Sequence, residues 1–206
     1  KVVGVEANTS LIYHVPQTPQ LTLINKLASN KGGEEKEFFI EPHQDGISTA
    51  CKEFIENSRF TKGSKYLRPN SANWTLKTKV QTTTIDEMIE SYGNPDLIKV
   101  DVEGYEYEVL SGLTAKQRKI CWEWHEEQFD TLLKTIEHLR NVGYTEFGMI
   151  GYFDEGNVFD KFTYSELGDP YLAEPNAYYS WAELEEEFSK MVNPQRRVDY
   201  GMMWCK

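Results

Sequence analysis

The sequence predicts an α/β domain with a doubly wound, mostly parallel sheet. Short apolar runs rich in β-branched residues alternate with amphipathic segments of about 10 to 15 residues, an order typical of strands joined by crossover helices. Several of these runs end in acidic residues, and a parallel sheet binds ligands at the carboxyl ends of its strands. The length of 206 residues suits one hydrophobic core. We therefore expect a single domain over residues 1–206.

The first half of the chain contains four predicted strands. Residues 2–5 form an apolar run that ends at Glu6, and residues 21–24 repeat this pattern. Two prolines between these runs limit any intervening helix to a turn or two. Residues 35–41 and 75–82 alternate loosely between apolar and polar side chains, which predicts two further strands.

Helix signals are clearer in the second half. Thr84 is a suitable N-cap with Glu87 at the capping-box position, and Gly143 is suited to ending a later amphipathic helix. The elements predicted here are a helix from residue 85, a strand at 97–102, a helix at 105–113, a strand at 120–124, a helix at 129–141, and strands at 147–153 and 200–205.

Two segments are expected to lie outside this alternation of strands and helices. Residues 57–74 are rich in Asn, Ser, Lys, Arg and Gly, which predicts a long surface loop. Residues 152–195 mix aromatic with acidic side chains, and we expect them to form an insertion. Aromatic rings of such a segment suit either stacking on sugar faces or a small core under a loop.

Composition excludes several classes of protein. The net charge is -11, with the acidic excess confined to residues 101–206, whereas binding to nucleic acid or an anionic membrane rewards clustered Lys and Arg. No apolar run approaches the roughly 18 to 20 residues of a membrane-spanning helix. The N-terminus has no signal-peptide layout, and the three cysteines are scattered, so we expect a cytoplasmic protein with buried thiols. Because the chain starts at Lys1 within an apolar run, we expect it to be part of a longer polypeptide with an upstream domain.

Glu6 is the first candidate site residue. It follows a predicted strand, where a carboxylate can accept hydrogen bonds from both hydroxyl groups of a ribose. A carboxylate in this position can equally cap the next helix. Residue type and position alone leave both roles open.

The strongest local signal is Asp101-Val102-Glu103-Gly104, which follows an apolar run. Residues two apart on a strand share a face, so both carboxylates can enter one crevice. Two carboxylates that close repel each other unless a cation or an ammonium group lies between them. The alternative is that Glu103 only caps the helix that follows.

Glu123 and His125 end the next predicted strand and again lie two apart. A near-neutral imidazole beside carboxylates is suited to general base catalysis, and Glu with His also suits a divalent metal ion. The other three histidines lie in predicted loops or on a helix surface. We therefore expect His125 to be the functional one.

These residues carry a resemblance to a known family. The runs at 84–89, 96–106 and 109–113, and above all the acid-x-acid-Gly-x-Glu-x-x-Val-Leu pattern within them, resemble the FkbM-type S-adenosylmethionine-dependent methyltransferases. Supporting matches are the strand with Glu6, the following strand with Ala28, and residues 45–49. The resemblance covers residues 2–145.

The resemblance implies a Rossmann-like methyltransferase that transfers a methyl group from S-adenosylmethionine to a hydroxyl oxygen of a sugar or another small molecule. Its cofactor residues are then Glu6 with Ala7 and Asn8 at the ribose, Leu27 and Ala28 beside the adenine, and Asp101 paired with the ammonium group.

The same resemblance assigns the acceptor side. His125, with Glu103 or Glu123, takes or orients the hydroxyl proton, and Asp101 belongs to the same catalytic group. Glu123, Trp124 and Tyr152 are expected to face the acceptor. A divalent cation held by Asp101, Glu123 and His125 is an alternative way to lower the pKa of the hydroxyl.

One departure from the family leaves other functions open. The family's first strand and glycine loop, which come before the strand with Glu6, have no counterpart in the sequence. They are removed, disordered or located in another part of the parent polypeptide. The alternatives are a metal-dependent glycosyltransferase that uses the Asp101-x-Glu103 pair, and a degenerate binding domain without catalysis.

Overall fold

The computed structural model describes residues 1–61, 72–152, 175, 177–191 and 200–206. These residues form two compact units. The first comprises Lys1–Asn94 and Val102–Thr114, and the second comprises Pro95–Asp101 and Ala115–Lys206. Both contain strands and helices, so the predicted α/β class is confirmed.

The first unit contains five strands and four α-helices among its described residues. In chain order they are β1 (Val2–Val5), α1 (Thr9–Ile12), β2 (Leu21–Ile24), β3 (Leu27–Ala28), β4 (Glu35–Ile40), α2 (Lys52–Asn57), β5 (Leu76–Thr83), α3 (Ile85–Tyr92) and α4 (Glu106–Leu110). Strand β1 pairs in parallel with β2, while β5 pairs in parallel with β3 and antiparallel with β4.

The second unit contains four strands and two α-helices in its described part. They are β6 (Ile98–Val100), β7 (Ile120–His125), α5 (Phe129–Val142), β8 (Phe147–Tyr152), α6 (Trp181–Met191) and β9 (Tyr200–Cys205). The sheet order is β6-β7-β9-β8, with β6 parallel to β7 and β9 antiparallel to both of its neighbours. Across the described strands of both units three pairings are parallel and three antiparallel, so the expected predominance of parallel pairing is not seen there.

The predicted capping signals are confirmed. Thr84 accepts a hydrogen bond from the backbone N–H of Glu87, and the Glu87 carboxylate accepts one from the backbone N–H of Thr84. Gly143 ends α5 in the left-handed conformation at φ 114°, which glycine adopts without a steric cost. Asn8 caps α1 by accepting a hydrogen bond from the backbone N–H of Ser10.

The predicted strand at 97–102 is too long, and so is the helix predicted at 105–113. Strand β6 ends at Val100 and α4 covers only Glu106–Leu110. Between them Glu103 and Gly104 have positive φ angles of 53° and 89°, which neither a strand nor an α-helix can accommodate. Strand β3 and helix α2 were not predicted, since two and six residues are too short to show a period.

The two predicted irregular segments fall largely outside the described residues. Residues 62–71 of the expected loop and most of the expected insertion at 152–195 are not described. Within the described part of the loop, Arg59 is buried, although a solvated loop would expose it.

Two of the three cysteines follow the prediction of buried thiols. Cys121 and Cys205 are fully buried in the sheet of the second unit. Burial raises the pKa of the Cys205 thiol well above its usual value. Cys51 is half-buried and its sulfur accepts a hydrogen bond from the backbone N–H of Phe54 at the start of α2. Among the described residues no helix combines the length and apolarity that a membrane span requires.

Gly112 allows the chain after α4 to lie against the end of β3. A Cβ atom at this position would lie 2.6 Å from the carbonyl oxygen of Ser29 and 3.1 Å from the Cα of Asn30, and both are backbone atoms that cannot rotate away. We therefore expect Gly112→Ala to lower the free energy of unfolding by about 1–3 kcal/mol through overpacking. Gly46→Ala is the matched control, because its added Cβ meets nothing within 4 Å. Denaturant titration of both variants tests this, and equal stabilities would contradict it.

Candidate active site

Strand β7 brings Glu123 and His125 together on one face of its sheet. Successive side chains of a strand point to opposite faces, so residues two apart are neighbours. Nε2 of His125 lies 3.3 Å from Oε2 of Glu123, and the two side chains are 5% and 3% exposed. The predicted pair therefore exists, in a buried setting where polar contacts are strengthened.

Asp101 joins this pair from the neighbouring strand. Lys99 and Val100 pair in parallel register with Cys121 and Trp122, so the next residue, Asp101, comes beside Glu123. The Asp101 carboxylate lies within hydrogen-bonding reach of the Glu123 carboxyl group. It also accepts a hydrogen bond from the Lys99 ammonium group at 2.9 Å. The second unit thus holds three predicted site residues in one cluster, which we call the Asp-Glu-His cluster (Asp101, Glu123 and His125).

Burial raises the pKa of Glu123, because a carboxylate removed from water loses its hydration. The hydrogen bond and the charge of His125 oppose this shift, while the neighbouring Asp101 carboxylate adds to it through like-charge repulsion. The net effect is a raised pKa for the Glu123 carboxyl group.

The raised pKa of Glu123 makes folding stability depend on pH. The stabilising contribution is complete below the ordinary value of 4.5 and is lost as pH rises through the raised pKa, because ionisation is then more costly in the folded protein than in the unfolded chain. We expect Glu123→Gln, which stays neutral, to lose less stability than the wild type between pH 5 and pH 9. Thermal unfolding across this range measures the difference.

Glu137→Gln is the control for this pH effect. Glu137 is exposed on α5, so its replacement removes one carboxylate without changing the buried cluster. Its pH profile should follow that of the wild type. If the stability of Glu123→Gln changes with pH in parallel with that of the wild type, Glu123 ionises as readily in the folded protein as in the unfolded chain.

Trp124 does not join the cluster. It lies between Glu123 and His125 on β7, so its side chain points to the opposite face of the sheet, where it is fully buried. Its ring therefore offers no open face to an acceptor. Tyr152 ends β8 in register with Tyr200 of β9, and its side chain is not among the described parts of the structure.

Glu6 lies at the carboxyl end of β1 in the first unit. Its carboxylate accepts a 2.6 Å hydrogen bond from the backbone N–H of Asn8 and a further bond from the backbone N–H of Ala7. Partial burial raises its pKa, the two backbone bonds lower it, and the nearby charge of Asp45 raises it. Glu6 thus binds the backbone just before α1, while the cap of that helix is Asn8 and not Glu6. A carboxylate with about four acceptor sites can still bind further donors.

The other predicted cofactor residues of the first unit follow the two parallel strands. Val5 of β1 pairs with Ile24 of β2, which brings the carboxyl ends of both strands side by side. The side-chain amide of Asn25 donates a 2.9 Å hydrogen bond to the carbonyl oxygen of Glu6. Leu27, which is buried, and Ala28, which is half-buried, continue from this point as β3. The end of β1, where Glu6, Ala7 and Asn8 follow, therefore lies beside the end of β2. Strand β2 in turn leads into Leu27 and Ala28.

Glu103 lies in a turn of the first unit with unusual backbone geometry. Its φ angle of 53° is left-handed, which is uncommon for a residue with a side chain. The hydroxyl of Thr49 donates a 2.7 Å hydrogen bond to its carbonyl oxygen, and the Glu106 carboxylate accepts hydrogen bonds from the backbone N–H groups of Val102 and Gly104. Thr49 and Glu106 are not among the site residues predicted from the sequence. The signal that could have found Glu106 is its place two residues after a turn glycine, where a buried acid serves as a backbone acceptor.

Comparison with known proteins gives one finding on the family. The sequence model of the methyltransferase FkbM domain matches residues 1–145. This range contains the turn at residues 102–105 and every predicted site residue except Tyr152. No curated protein matches the chain, and no solved structure matches it either.

Proposed function

The chain belongs to the FkbM methyltransferase family, and from this premise we propose that it is an S-adenosylmethionine-dependent O-methyltransferase acting on a sugar hydroxyl. The observation that carries the O-methyl assignment is the Asp-Glu-His cluster at the carboxyl ends of two adjacent parallel strands. An alcohol is a poor nucleophile until a positioned base removes its proton. The family also supports a doubly wound arrangement of the whole sheet, which we include in the proposal.

The residues present fit S-adenosylmethionine by their chemistry. When bound, this cofactor supplies an electrophilic methyl group on a sulfonium. Glu6, half-buried at a strand end with spare acceptor capacity, would hold the ribose hydroxyls, with Ala7 and Asn8 beside it and with Leu27 and Ala28 along the adenine.

Asp101 would hold the ammonium group of the cofactor. Its carboxylate is exposed and already accepts a hydrogen bond from Lys99, which is also exposed. A surface ion pair of this kind contributes little stability, so an arriving ammonium group can replace Lys99 at small cost. The hydrogen bond from Lys99 orients the carboxylate in the meantime.

His125 would act as the base, with Glu123 as its partner. Nε2 stays against the Glu123 carboxyl group, and Nδ1 takes the proton of the acceptor hydroxyl as its oxygen attacks. Burial of both side chains excludes water, which strengthens the attraction between the imidazolium that forms and the Asp101 carboxylate of the same cluster. We also propose that Glu103 helps to orient the acceptor.

The proposed acceptor is neutral. The excess of acidic residues after position 100 disfavours phosphorylated or acidic acceptors, whereas a sugar hydroxyl carries no charge. Sugar recognition would fall to Glu123, on the cluster face of β7, and to Tyr152, whereas Trp124 lies on the opposite face of the sheet.

Two measurements on the full-length protein test this proposal. Calorimetry with S-adenosylhomocysteine is expected to show binding, and a panel of free sugars with S-adenosylmethionine is expected to show methyl transfer to oxygen. Failure to bind at millimolar ligand would overturn the proposal. Binding without transfer to any acceptor would favour a degenerate binding domain.

Two further arms of the experiment distinguish catalysis by the His125 base from metal-dependent chemistry. Activity that is unchanged by EDTA supports His125 as the base, whereas activity lost in EDTA and restored by Mg²⁺ would assign the Asp-Glu-His cluster to a cation. Binding of a nucleotide-sugar that requires Mn²⁺, with none for S-adenosylhomocysteine, would favour the glycosyltransferase instead.

A further inference from the structure

We propose that Glu106 and Thr49 are positioning residues, which lock the turn at residues 102–105 in the conformation required for methyl transfer. This inference rests on the proposed function and extends it to two residues that touch neither the acceptor nor the cofactor. The turn carries Glu103 and follows Asp101 directly. Its backbone geometry therefore decides where the Glu103 carboxylate is presented.

Glu106 holds the amide side of the turn. Its Oε1 accepts hydrogen bonds from the N–H groups of both Val102 and Gly104, each at 3.2 Å, and the residue is only 4% exposed. A buried carboxylate is costly unless hydrogen bonds compensate it, and bonds to an ionised acceptor are stronger than neutral ones. A single oxygen thus joins the two ends of the segment that contains Glu103.

Thr49 holds the carbonyl side of the turn. Its Oγ1 accepts a hydrogen bond from the backbone N–H of Cys51 at 2.9 Å, which directs the hydroxyl proton toward the carbonyl oxygen of Glu103 at 2.7 Å. The backbone of Thr49 is itself fixed, because its N–H and carbonyl group both bond to Phe39 of β4. The Thr49 side chain is therefore a rigid donor.

The last residue of the turn, Tyr105, is anchored separately. The Nζ of Lys36 on β4 donates hydrogen bonds to the Tyr105 hydroxyl at 3.0 Å and to the Ser29 hydroxyl at 3.1 Å. Residue 105 is thus attached to strand β4, as Thr49 is. The turn is restrained at its amides, at its central carbonyl and at its end.

These contacts hold a backbone that would otherwise relax. A non-glycine residue at φ 53° persists only when its surroundings impose the conformation, and such strained residues concentrate at functional sites. Without the clamp, Glu103 would return to the ordinary region of backbone conformation and its side chain would move. A displacement of about 1 Å at a reacting site costs about 100-fold in rate.

Glu106→Ala and Glu106→Gln form the test pair. Alanine removes the acceptor, whereas glutamine keeps an oxygen that can accept both N–H groups and loses only the charge. We expect Glu106→Ala to lower kcat about 100-fold with the Kd of S-adenosylhomocysteine within about threefold, and Glu106→Gln to restore kcat to within about fivefold of the wild type. Glu90→Ala, which removes an exposed charge on α3, is the control.

Thr49→Val and Thr49→Ser provide a second pair in case Glu106→Ala does not fold. Valine keeps the shape of threonine and removes the donor, whereas serine retains it, so Thr49→Val should lower kcat about tenfold and Thr49→Ser should not. Hydrogen exchange of the Val102 and Gly104 amides, which does not depend on activity, should accelerate in Glu106→Ala and remain slow in Glu106→Gln.

The outcomes separate the two proposals. A wild type that binds no S-adenosylhomocysteine overturns the proposed function, and the positioning role falls with it. If the wild type transfers methyl groups and the folded Thr49→Val and Glu106→Ala variants have the same kcat as the wild type, the positioning role alone is overturned. Loss of kcat that glutamine and serine do not rescue would also overturn it, since the charge or the extra methyl group would then matter and not the clamp.

Discussion

Replacing His125 with glutamine is expected to lower the kcat of methyl transfer by about 100 to 10,000-fold, the range that a general base contributes. Glutamine retains hydrogen-bonding atoms in the space of the imidazole and has no nitrogen that takes up a proton. The Kd of S-adenosylhomocysteine should stay within about threefold of the wild type, because a base acts on the acceptor oxygen and not on the bound cofactor. Single-turnover assays with calorimetry on the same preparation measure both quantities.

His138→Gln is the control for this experiment. His138 lies on α5, outside the Asp-Glu-His cluster, and its replacement should leave kcat unchanged. If His125→Gln weakens cofactor binding and turnover equally, the imidazole has a structural role in β7. In that case the base that removes the proton of the acceptor hydroxyl must be another group.

The features that could be predicted from the sequence depend on residues close together in the chain. The capping box of Thr84 and Glu87 involves a separation of three residues, and the pairing of Glu123 with His125 follows from the period of a strand. Each needs only local geometry, which the side-chain pattern determines. The acidic residue next to the imidazole was predictable for the same reason.

The turn at residues 102–105 could not be predicted, because distant residues determine its conformation. The donor that holds the Glu103 carbonyl group is Thr49, which lies 54 residues earlier in the chain. The same pattern of residues is compatible with a strand that continues through Asp101 and Val102, as the predicted strand at 97–102 does. Tertiary hydrogen bonds overrode that preference.

Trp124 illustrates a second limit of the sequence. Its aromatic side chain, next to two candidate site residues, is typical of a sugar-binding platform, yet strand alternation places it on the opposite face of the sheet from both. The alternation itself was predictable. What the sequence could not supply was that the opposite face of β7 is fully covered.

Trp122→Ala is expected to lower the free energy of unfolding by about 3–5 kcal/mol, the cost of removing a large aromatic side chain from a core. Trp122 is among the largest fully buried side chains of the described structure. It is flanked in register by Val100 of β6 and Met203 of β9, which are also buried, so the space left by the indole cannot be filled by small movements. Urea titration measures the loss.

Trp122→Phe and Leu133→Ala make this prediction specific. Within the described part of the chain the Trp122 indole N–H has no hydrogen-bond partner, so phenylalanine removes a desolvated donor together with some volume and should cost much less than alanine. Leu133 is exposed on α5, and its truncation should change stability by less than about 0.5 kcal/mol. If Trp122→Phe proves as costly as Trp122→Ala, the indole N–H is bonded in the folded protein and a lost hydrogen bond outweighs the cavity.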